Sequence, residues 1–384
     1  MRSSHLSITV VVFVALVLGA CAPKETTVGQ PQAVTKSVEA PKEGWEVEWE
    51  RLVAAAKKEG TLSIYDQWGP QAKEELTKAF TGKFGIDIEF TSVGKSSELT
   101  PKLDRERRAG LYLADVVGAG VVTILTEMKP AGIMAPIEPL LILPDAKDPK
   151  NWTGGRIFVD SGKLVVGLSA DFSSYVGRNT ELVKDGEIKS YYDFLDPKWK
   201  GKIVLADPTV TGSGNGWVFT MAGLLGLDKT KDYLRQFEKQ EPVIIRDLRL
   251  QVEGLAKGKY ALYAGVHAPT LMEFKKLGAP VDKLRVKEGG SGSAGSGCIA
   301  LPAGQLPHPN AAKVFINWLL TKEGQTVFSK GYLRPSARLD VSTAGFEDSV
   351  PLPGDRVVIE DEEGIKLKSD LLPITKEILA PLLR

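Results

Sequence analysis

After residue 44, segments whose hydrophobic positions recur at helical spacing alternate with segments whose hydrophobic positions have the spacing of a strand. Apolar side chains three and four positions apart predict an amphipathic helix over residues 45–59, which Gly60 ends. A strand at 61–65 follows, and two further helix and strand pairs end in strands at 86–90 and 114–117. Strands that alternate with helices of this length form parallel β-α-β units. We therefore predict an α/β fold with helices on both faces of an open sheet.

A second series of the same kind follows a strand at 163–168 that crosses out of the first lobe. Its strands are predicted at 202–205, 243–245 and 260–263, with helices between them. The Gly/Ser-rich stretch 288–298 leads back into strand character, which indicates a return crossing. The predicted domains are lobe 1, with its C-terminal helices able to pack on lobe 2, and lobe 2 itself. Their boundaries are 45–165 plus 296–384 for lobe 1 and 166–295 for lobe 2.

The N-terminus has the pattern of an export signal. The apolar run at 8–18 is too short to span roughly 30 Å of hydrocarbon as a helix, and it ends in Leu-Gly-Ala-Cys21, which resembles a bacterial lipobox. We predict a signal peptide over 1–20, lipidation of Cys21 and a flexible tether over 21–44, which is rich in Pro, Thr, Lys and Glu. An uncleaved membrane anchor is the alternative. The protein is thus expected to be exported and lipid-anchored at the cell membrane.

The composition of the chain argues against several classes of function. The 384 residues carry 49 Lys+Arg and 48 Asp+Glu, a net charge of +1, which argues against nucleic acid as a partner. Cys21 and Cys298 are the only cysteines, so neither a disulfide framework nor a cysteine zinc cluster is expected. The three histidines are widely separated, which argues against a multi-histidine metal site. We expect a monomer without a cofactor.

The sequence contains no catalytic or nucleotide-binding motif with the required spacing. Val93–Ser97 resembles a phosphate loop, but Glu89 stands where that motif needs its first glycine. The glycine-rich stretch 212–216 has Trp217 at the third glycine of the dinucleotide pattern, and it is better explained as a turn entering a helix. No Gly-x-Ser-x-Gly nucleophile elbow occurs. We therefore expect a protein that is not an enzyme.

Several stretches, in their order along the chain, resemble the extracellular solute-binding proteins of ABC importers, in the group that includes ferric-iron and thiamine binders. These stretches are 49–60, 106–117, 179–183, 196–202 with 207–209, 258–260, and 307–312 with 323–325. The resemblance implies the type II periplasmic-binding fold, in which two α/β lobes joined by two crossing segments close around a ligand. It also implies a membrane permease as partner, to which the ligand is presented.

Ligands of open parallel sheets gather beyond the carboxyl ends of the strands, where helix N-termini favour anions. That rule selects the ligand-binding candidates, with Arg246 holding an anion between aromatic walls from Tyr65, Trp68 and Tyr263. The complete set is Tyr65, Trp68, Lys95, Ser96, Gly120, Thr209, Ser213, Arg246, Tyr263 and His267.

The sequence leaves three interpretations of the function. Iron-binding relatives carry adjacent tyrosines near the position of His267, whereas residues 266–269 here are Val-His-Ala-Pro. Two phenolates supply much of the charge that stabilises ferric iron, so we favour a small polar or anionic organic solute. Ferric iron or an iron chelate is the second interpretation, and a secreted enzyme that reuses the fold is the third.

Overall fold

The structure is a computed structural model that describes residues 43–210, 212–295 and 297–383. The predicted signal peptide, Cys21 and most of the predicted tether lie outside these residues. In chain order the strands are β1 (Thr61–Asp66), β2 (Asp87–Ser92), β3 (Val116–Ala119), β4 (Met134–Ala135), β5 (Val165–Gly167), β6 (Asp171–Ser173), β7 (Val176–Asn179), β8 (Ile203–Ala206), β9 (Val243–Ile245), β10 (Leu262–Ala264), β11 (Val281–Leu284), β12 (Gly290–Ser293), β13 (Cys298–Pro302) and β14 (Val357–Ile359).

The helices alternate with these strands along most of the chain. They are α1 (Gly44–Glu59), α2 (Pro70–Phe84), α3 (Leu99–Arg108), α4 (Val121–Thr123), α5 (Pro144–Lys147), α6 (Ser213–Leu225), α7 (Leu227–Glu238), α8 (Leu248–Ala256), α9 (Ala268–Lys276), α10 (Pro309–Leu319), α11 (Lys322–Tyr332) and α12 (Glu362–Leu379). Local sequence sets many of the ends. Gly60 and Gly85, which end α1 and α2, have φ of 78° and 66°, a left-handed conformation that costs glycine little.

Two sheets define two lobes. The first has six strands in the order β2-β1-β3-β13-β4, with β5 also on β13, and the second has five in the order β11-β7-β10-β8-β9. β1 pairs in parallel with β2 and β3, and β8 pairs in parallel with β9 and β10. This is the predicted α/β fold with two lobes.

Each lobe has an aromatic core of its own. In lobe 1, Phe80 of α2 packs against Phe315 and Trp318 of α10, with ring centroids 5.2 and 5.4 Å apart. In lobe 2, Trp217 of α6 packs against Phe237 of α7 at 5.0 Å. Large buried rings dominate the burial of apolar surface, so each sheet is stabilised by its own helices.

Three strands form a small third sheet where the chain passes between the lobes. β6 and β12 pair antiparallel, and each connects a strand of the first sheet with a strand of the second. The segment 163–168, predicted to cross out of lobe 1, instead forms β5 of the first sheet. The third strand, β14, pairs with β12 in parallel and comes from the C-terminal segment, where no strand was predicted. Its register places Gly290 opposite Val357, and a Cβ at Gly290 would lie 2.7 Å from the Phe172 ring.

For the last long helix, the apolar spacing of the sequence predicts residues 374–383. In the structure this helix, α12, begins twelve residues earlier, at Glu362. Pro373 lies inside it, and a proline in that place usually ends or kinks a helix, which made the earlier turns hard to predict. Its residues Leu371, Ile378 and Leu379 pack in the core of lobe 2 with α6 and α7. Within residues 43–210, 212–295 and 297–383, no helix combines the length and the apolar composition that crossing a membrane requires.

Candidate functional site

A cavity of about 680 Å³ lies between the lobes, at the carboxyl ends of strands from both sheets. Lobe 1 contributes the residues that follow β1, β2 and β3, namely Gln67, 95–97 and 120–126. Lobe 2 contributes the start of α6 and His267, which precedes α9 three residues after the end of β10. The position agrees with the rule that open α/β sheets bind ligands beyond the carboxyl ends of their strands.

Four helical segments begin at this cavity. α6 and α9 start there from lobe 2, and the helical segments 96–108 and 121–128 start there from lobe 1. The first N–H groups of a helix have no partner within the helix, and the helix dipole places partial positive charge at that end. Four such ends around one cavity favour a negatively charged ligand.

Glycines allow α6 to begin close to its sheet. A Cβ at Gly214 would lie 2.3 Å from the carbonyl oxygen of Ala206 at the end of β8, and a Cβ at Gly216 would lie 2.9 Å from the Tyr175 ring. The Oγ of Ser213, at the first position of α6, is buried and has no hydrogen-bond partner among the described residues. A polar atom in that state is available to a ligand.

On the lobe 1 side the loops are fixed by backbone contacts. The N–H of Gly120 donates to Oγ of Ser96 at 2.7 Å, which joins the loops after β2 and β3. Asp66 accepts from the N–H of Trp68 at 2.9 Å and from the hydroxyl of Ser92 at 2.6 Å. Lys95 is exposed and forms no ion pair with any residue that the structure describes. Its ammonium group therefore adds positive charge to the lobe 1 wall.

Two titratable groups in the cavity are neutral at pH 7. Burial, helped by the charge of Arg334, lowers the pKa of His267, whose Nδ1 lies 2.8 Å from Oγ1 of Thr270. Burial, helped by the charge of Glu360, raises the pKa of Tyr175. In the described ranges, no three His, Cys, Asp or Glu side chains are grouped so that they could hold a metal ion.

Half of the predicted ligand-binding residues are brought together and half are not. Those that line the cavity are Lys95, Ser96, Gly120, Ser213 and His267. The three rings predicted as aromatic walls do not line this cavity. The hydroxyl of Tyr65 bonds to Glu106 at 3.1 Å, Trp68 is buried against Phe328 with ring centroids 5.1 Å apart, and the hydroxyl of Tyr263 bonds to Gln251. These rings pack into the lobes because hydrophobic area favours burial.

Arg246 and Thr209 donate hydrogen bonds to a carboxylate of the protein, that of Asp207. Nε of Arg246 donates to Asp207 at 2.8 Å, and Oγ1 of Thr209 donates to the other carboxylate oxygen at 2.6 Å. Although burial, the largest single cause, would raise the pKa of Asp207, these two hydrogen bonds, a third from the N–H of Thr209 and the charge of Arg246 together lower it. Neither residue lines the cavity.

Several cavity residues were not predicted. From the middle of the chain they include Tyr175 and Asn215, and from the C-terminal segment Glu360, Ile365, Lys368, Ser369 and Leu372. Tyr175 has φ of 54°, which no sequence pattern announced. The residues of the C-terminal segment lie at the cavity because of how α12 packs.

Residues 75–353 match the model of a protein family described as bacterial extracellular solute-binding protein. The chain belongs to this family. A curated relative, an uncharacterized protein of Haemophilus influenzae, is 25% identical over 278 residues, which are 71% of this chain and 76% of the relative.

Solved structures of the same fold cover nearly all of the globular part. The periplasmic binding protein AfuA from Actinobacillus pleuropneumoniae, with fructose-6-phosphate bound, is 20% identical, covers 84% of this chain and 98% of its own, and has a TM-score of 0.58. Ferric iron-binding protein A of Mannheimia haemolytica, in an open conformation, is 16% identical over 83% and 98%, with a TM-score of 0.66. FutA of Trichodesmium, in complex with iron and citrate, is 16% identical over 84% and 99%, with a TM-score of 0.61.

These findings confirm the type II periplasmic-binding fold and the function of the solute-binding protein in an ABC import system. The family is one of exported binding proteins rather than enzymes.

Proposed function

We propose that this solute-binding protein captures a small organic anion in the cavity between its lobes and delivers it to the permease of its importer. The observation that carries the proposal is the convergence of four helix N-termini on a cavity that Lys95 also lines, a lysine with no ion pair among the described residues. A carboxylate or phosphate group is stabilised at such a place by N–H donors and by the helix dipoles.

In this proposal the ligand-binding residues are Lys95, Ser96, Gly120, Ser213 and His267. Lys95 supplies charge, and the buried Oγ of Ser213 supplies a hydrogen bond that it does not make with any described residue. Because three of these residues belong to lobe 1 and two to lobe 2, a bound anion contacts both lobes and stabilises the closed form.

Iron remains a second candidate in the form of an anionic chelate. A bare ferric ion needs several negatively charged ligands, whereas the helix ends and Lys95 present positive charge to the cavity. A ferric citrate complex carries its own carboxylates, and it is therefore compatible with the same wall. Tyr175, His267 and Glu360 line this cavity and are the side chains that a chelate would meet.

The anion hypothesis is tested by calorimetric titration with inorganic phosphate, fructose 6-phosphate, glycerol 3-phosphate, gluconate, citrate and ferric citrate. We expect binding of at least one, weakened about tenfold in Lys95→Ala because a hydrogen bond to a charged group is lost. Lys57→Ala, an exposed lysine of α1, is the matched control. Unchanged affinity in both Lys95→Ala and Ser213→Ala would refute the site, and charge-transfer colour with ferric citrate alone would favour the iron chelate.

We also propose that the exported protein is a monomer held at the membrane by lipid on Cys21. The lipobox-like end of the signal supports the anchor. Metabolic labelling with palmitate should mark the wild-type protein but not Cys21→Ser, which should leave the membrane fraction. A labelled Cys21→Ser protein would contradict the anchor.

A further inference from the structure

The C-terminal segment, residues 354–383, forms one wall of the ligand cavity although it lies beyond the part of the chain that the family model matches. Its strand β14 pairs with the crossing strand β12 from Gly290 to Gly292. α12 follows at once, with the buried Glu360 and Asp361 between them. The segment is thus built into the region that joins the lobes.

Both ends of α12 are fixed. At its start, Asp361 pairs with Arg156 of lobe 1 at 2.8 Å, and Glu362 pairs with Lys129 of lobe 1. Toward its end, Leu371 and Ile378 are buried in the lobe 2 core. The turns between these anchors carry the cavity residues. They are Ile365, Lys368, Ser369 and Leu372.

The charged groups on this wall neutralise each other. The ammonium of Lys368 pairs with the carboxylate of Glu360, and their side chains are only 17% and 8% exposed. Lys368 also lies over the ring of Phe219, 4.9 Å from its centroid, which holds it against lobe 2. Such a pair offers hydrogen-bond donors and acceptors without adding net charge, in contrast to the positive wall around Lys95.

The two walls therefore suit different parts of one molecule. We propose that Lys368 and Glu360, with Ser369 beside them, determine specificity by hydrogen bonding to the hydroxyl groups of an anion whose charged group lies at the helix N-termini. The preferred ligand class is an organic phosphate or carboxylate that carries hydroxyl groups at its other end. This inference rests on the anion-binding function proposed above. A polar site of this kind rejects a ligand that leaves its buried groups unpaired.

Calorimetry of the full chain tests the inference with three classes of probe. Fructose 6-phosphate, glycerol 3-phosphate and gluconate are the hydroxylated anions, with hydroxyl groups at the end away from the charge. Inorganic phosphate has only the charged group, and citrate has carboxylates at both ends and its single hydroxyl group on the central carbon. We expect at least one hydroxylated anion to bind more tightly than phosphate and citrate. In Lys368→Gln its affinity should fall about tenfold, while that of phosphate should change by less than about twofold.

Two further variants guard against effects on folding. Glu360→Gln/Lys368→Gln removes both charges and leaves no buried ion alone, and Ser369→Ala alters an exposed position of the same wall. Both should weaken the hydroxylated probe and spare phosphate. Lys366→Gln is the matched control, since Lys366 lies on the exposed face of α12 and pairs with Asp370 at 2.6 Å.

The outcomes separate this inference from the function on which it rests. If phosphate or citrate binds in a Lys95-dependent way but no hydroxylated anion binds better, the ligand class is overturned and the anion site stands. If all three wall variants bind the hydroxylated anion as the wild type does, the specificity role of this wall is overturned. If no anion binds the wild type, both proposals are overturned.

Discussion

Glu362, the first residue of α12, should stabilise the protein through its contacts with lobe 1. Its carboxylate accepts hydrogen bonds from the ammonium of Lys129, from the N–H of Ser161 at 3.0 Å and from the hydroxyl of Ser161 at 2.8 Å. These contacts, that with Lys129 first, lower the pKa of Glu362 from 4.5 to about 2. The substitution Glu362→Gln keeps the size of the side chain and removes its charge.

The magnitude follows from the pKa. Since one pKa unit corresponds to about 1.4 kcal/mol, the fall from 4.5 to about 2 sets an upper bound of about 3 kcal/mol on the stabilisation. The side chain of Glu362 is 39% exposed, so solvent screening reduces this to about 1–2 kcal/mol. A depressed pKa stabilises the folded state above the unfolded value of 4.5, and this contribution is lost as the pH falls toward 2. The variant should therefore be less stable at pH 7 and should approach the wild type near pH 2.

Urea denaturation at pH 7, 4 and 3 measures this difference. The midpoint of Glu362→Gln should lie below that of the wild type at pH 7, and the gap should narrow at each lower pH. Glu363→Gln, an exposed neighbour on the same turn, is the control and should match the wild type. Equal midpoints of Glu362→Gln and wild type at pH 7, or a gap that does not change with pH, would refute the reasoning.

Two close contacts at glycines and one hydrogen-bonded pair give further predictions, each checked by the unfolding midpoint. Gly214→Ala would place a Cβ 2.3 Å from a carbonyl oxygen of β8, so we expect a loss of about 1–3 kcal/mol and, because the start of α6 must move, weaker anion binding by calorimetry. Gly118→Ala would place a Cβ 2.4 Å from the Trp68 ring, with a similar loss and altered tryptophan fluorescence. Asp115→Asn weakens the acceptor of the His308 N–H at 2.6 Å and of its Nδ1 at 2.8 Å, for about 1–3 kcal/mol. A wild-type midpoint in any of these variants would contradict the corresponding contact.

The fold was predictable where local patterns and tertiary packing agree. The helices that end at Gly60 and Gly85 and the strands that follow them were located to within a few residues, because apolar spacing and a left-handed glycine give the same answer. The segment that follows β3 shows the limit. After α4 it continues as a π-helix, Ile124–Met128, beside the cavity. A widened turn of this kind has no spacing signature in a single sequence.

The cavity was half predictable for a physical reason. The rule about strand ends locates backbone, and it therefore found Ser96, Gly120 and Ser213, which act through helix starts and loops. It does not determine where a long side chain points. Tyr263 was selected by this rule, yet it lies within β10 and its ring is buried in a cluster with Val252 and Leu255 of α8. Its hydroxyl bonds to Gln251. Orientation depends on which face of a strand the neighbouring helices cover, and that is a property of the assembled lobe.

The identity of the ligand is harder to predict from the sequence than the position of the site. Proteins with this fold have been solved with fructose-6-phosphate and with iron and citrate, so the scaffold is compatible with unlike ligands and the cavity side chains must decide between them. Part of the wall here comes from loops within the matched residues 75–353, and part comes from α12 beyond them. A comparison restricted to the matched range would include Lys95 and omit Lys368. It would therefore describe a cavity with positive charge alone, which predicts any small anion as the ligand. The cavity with α12 also has a neutral polar wall, and it predicts an anion that carries hydroxyl groups.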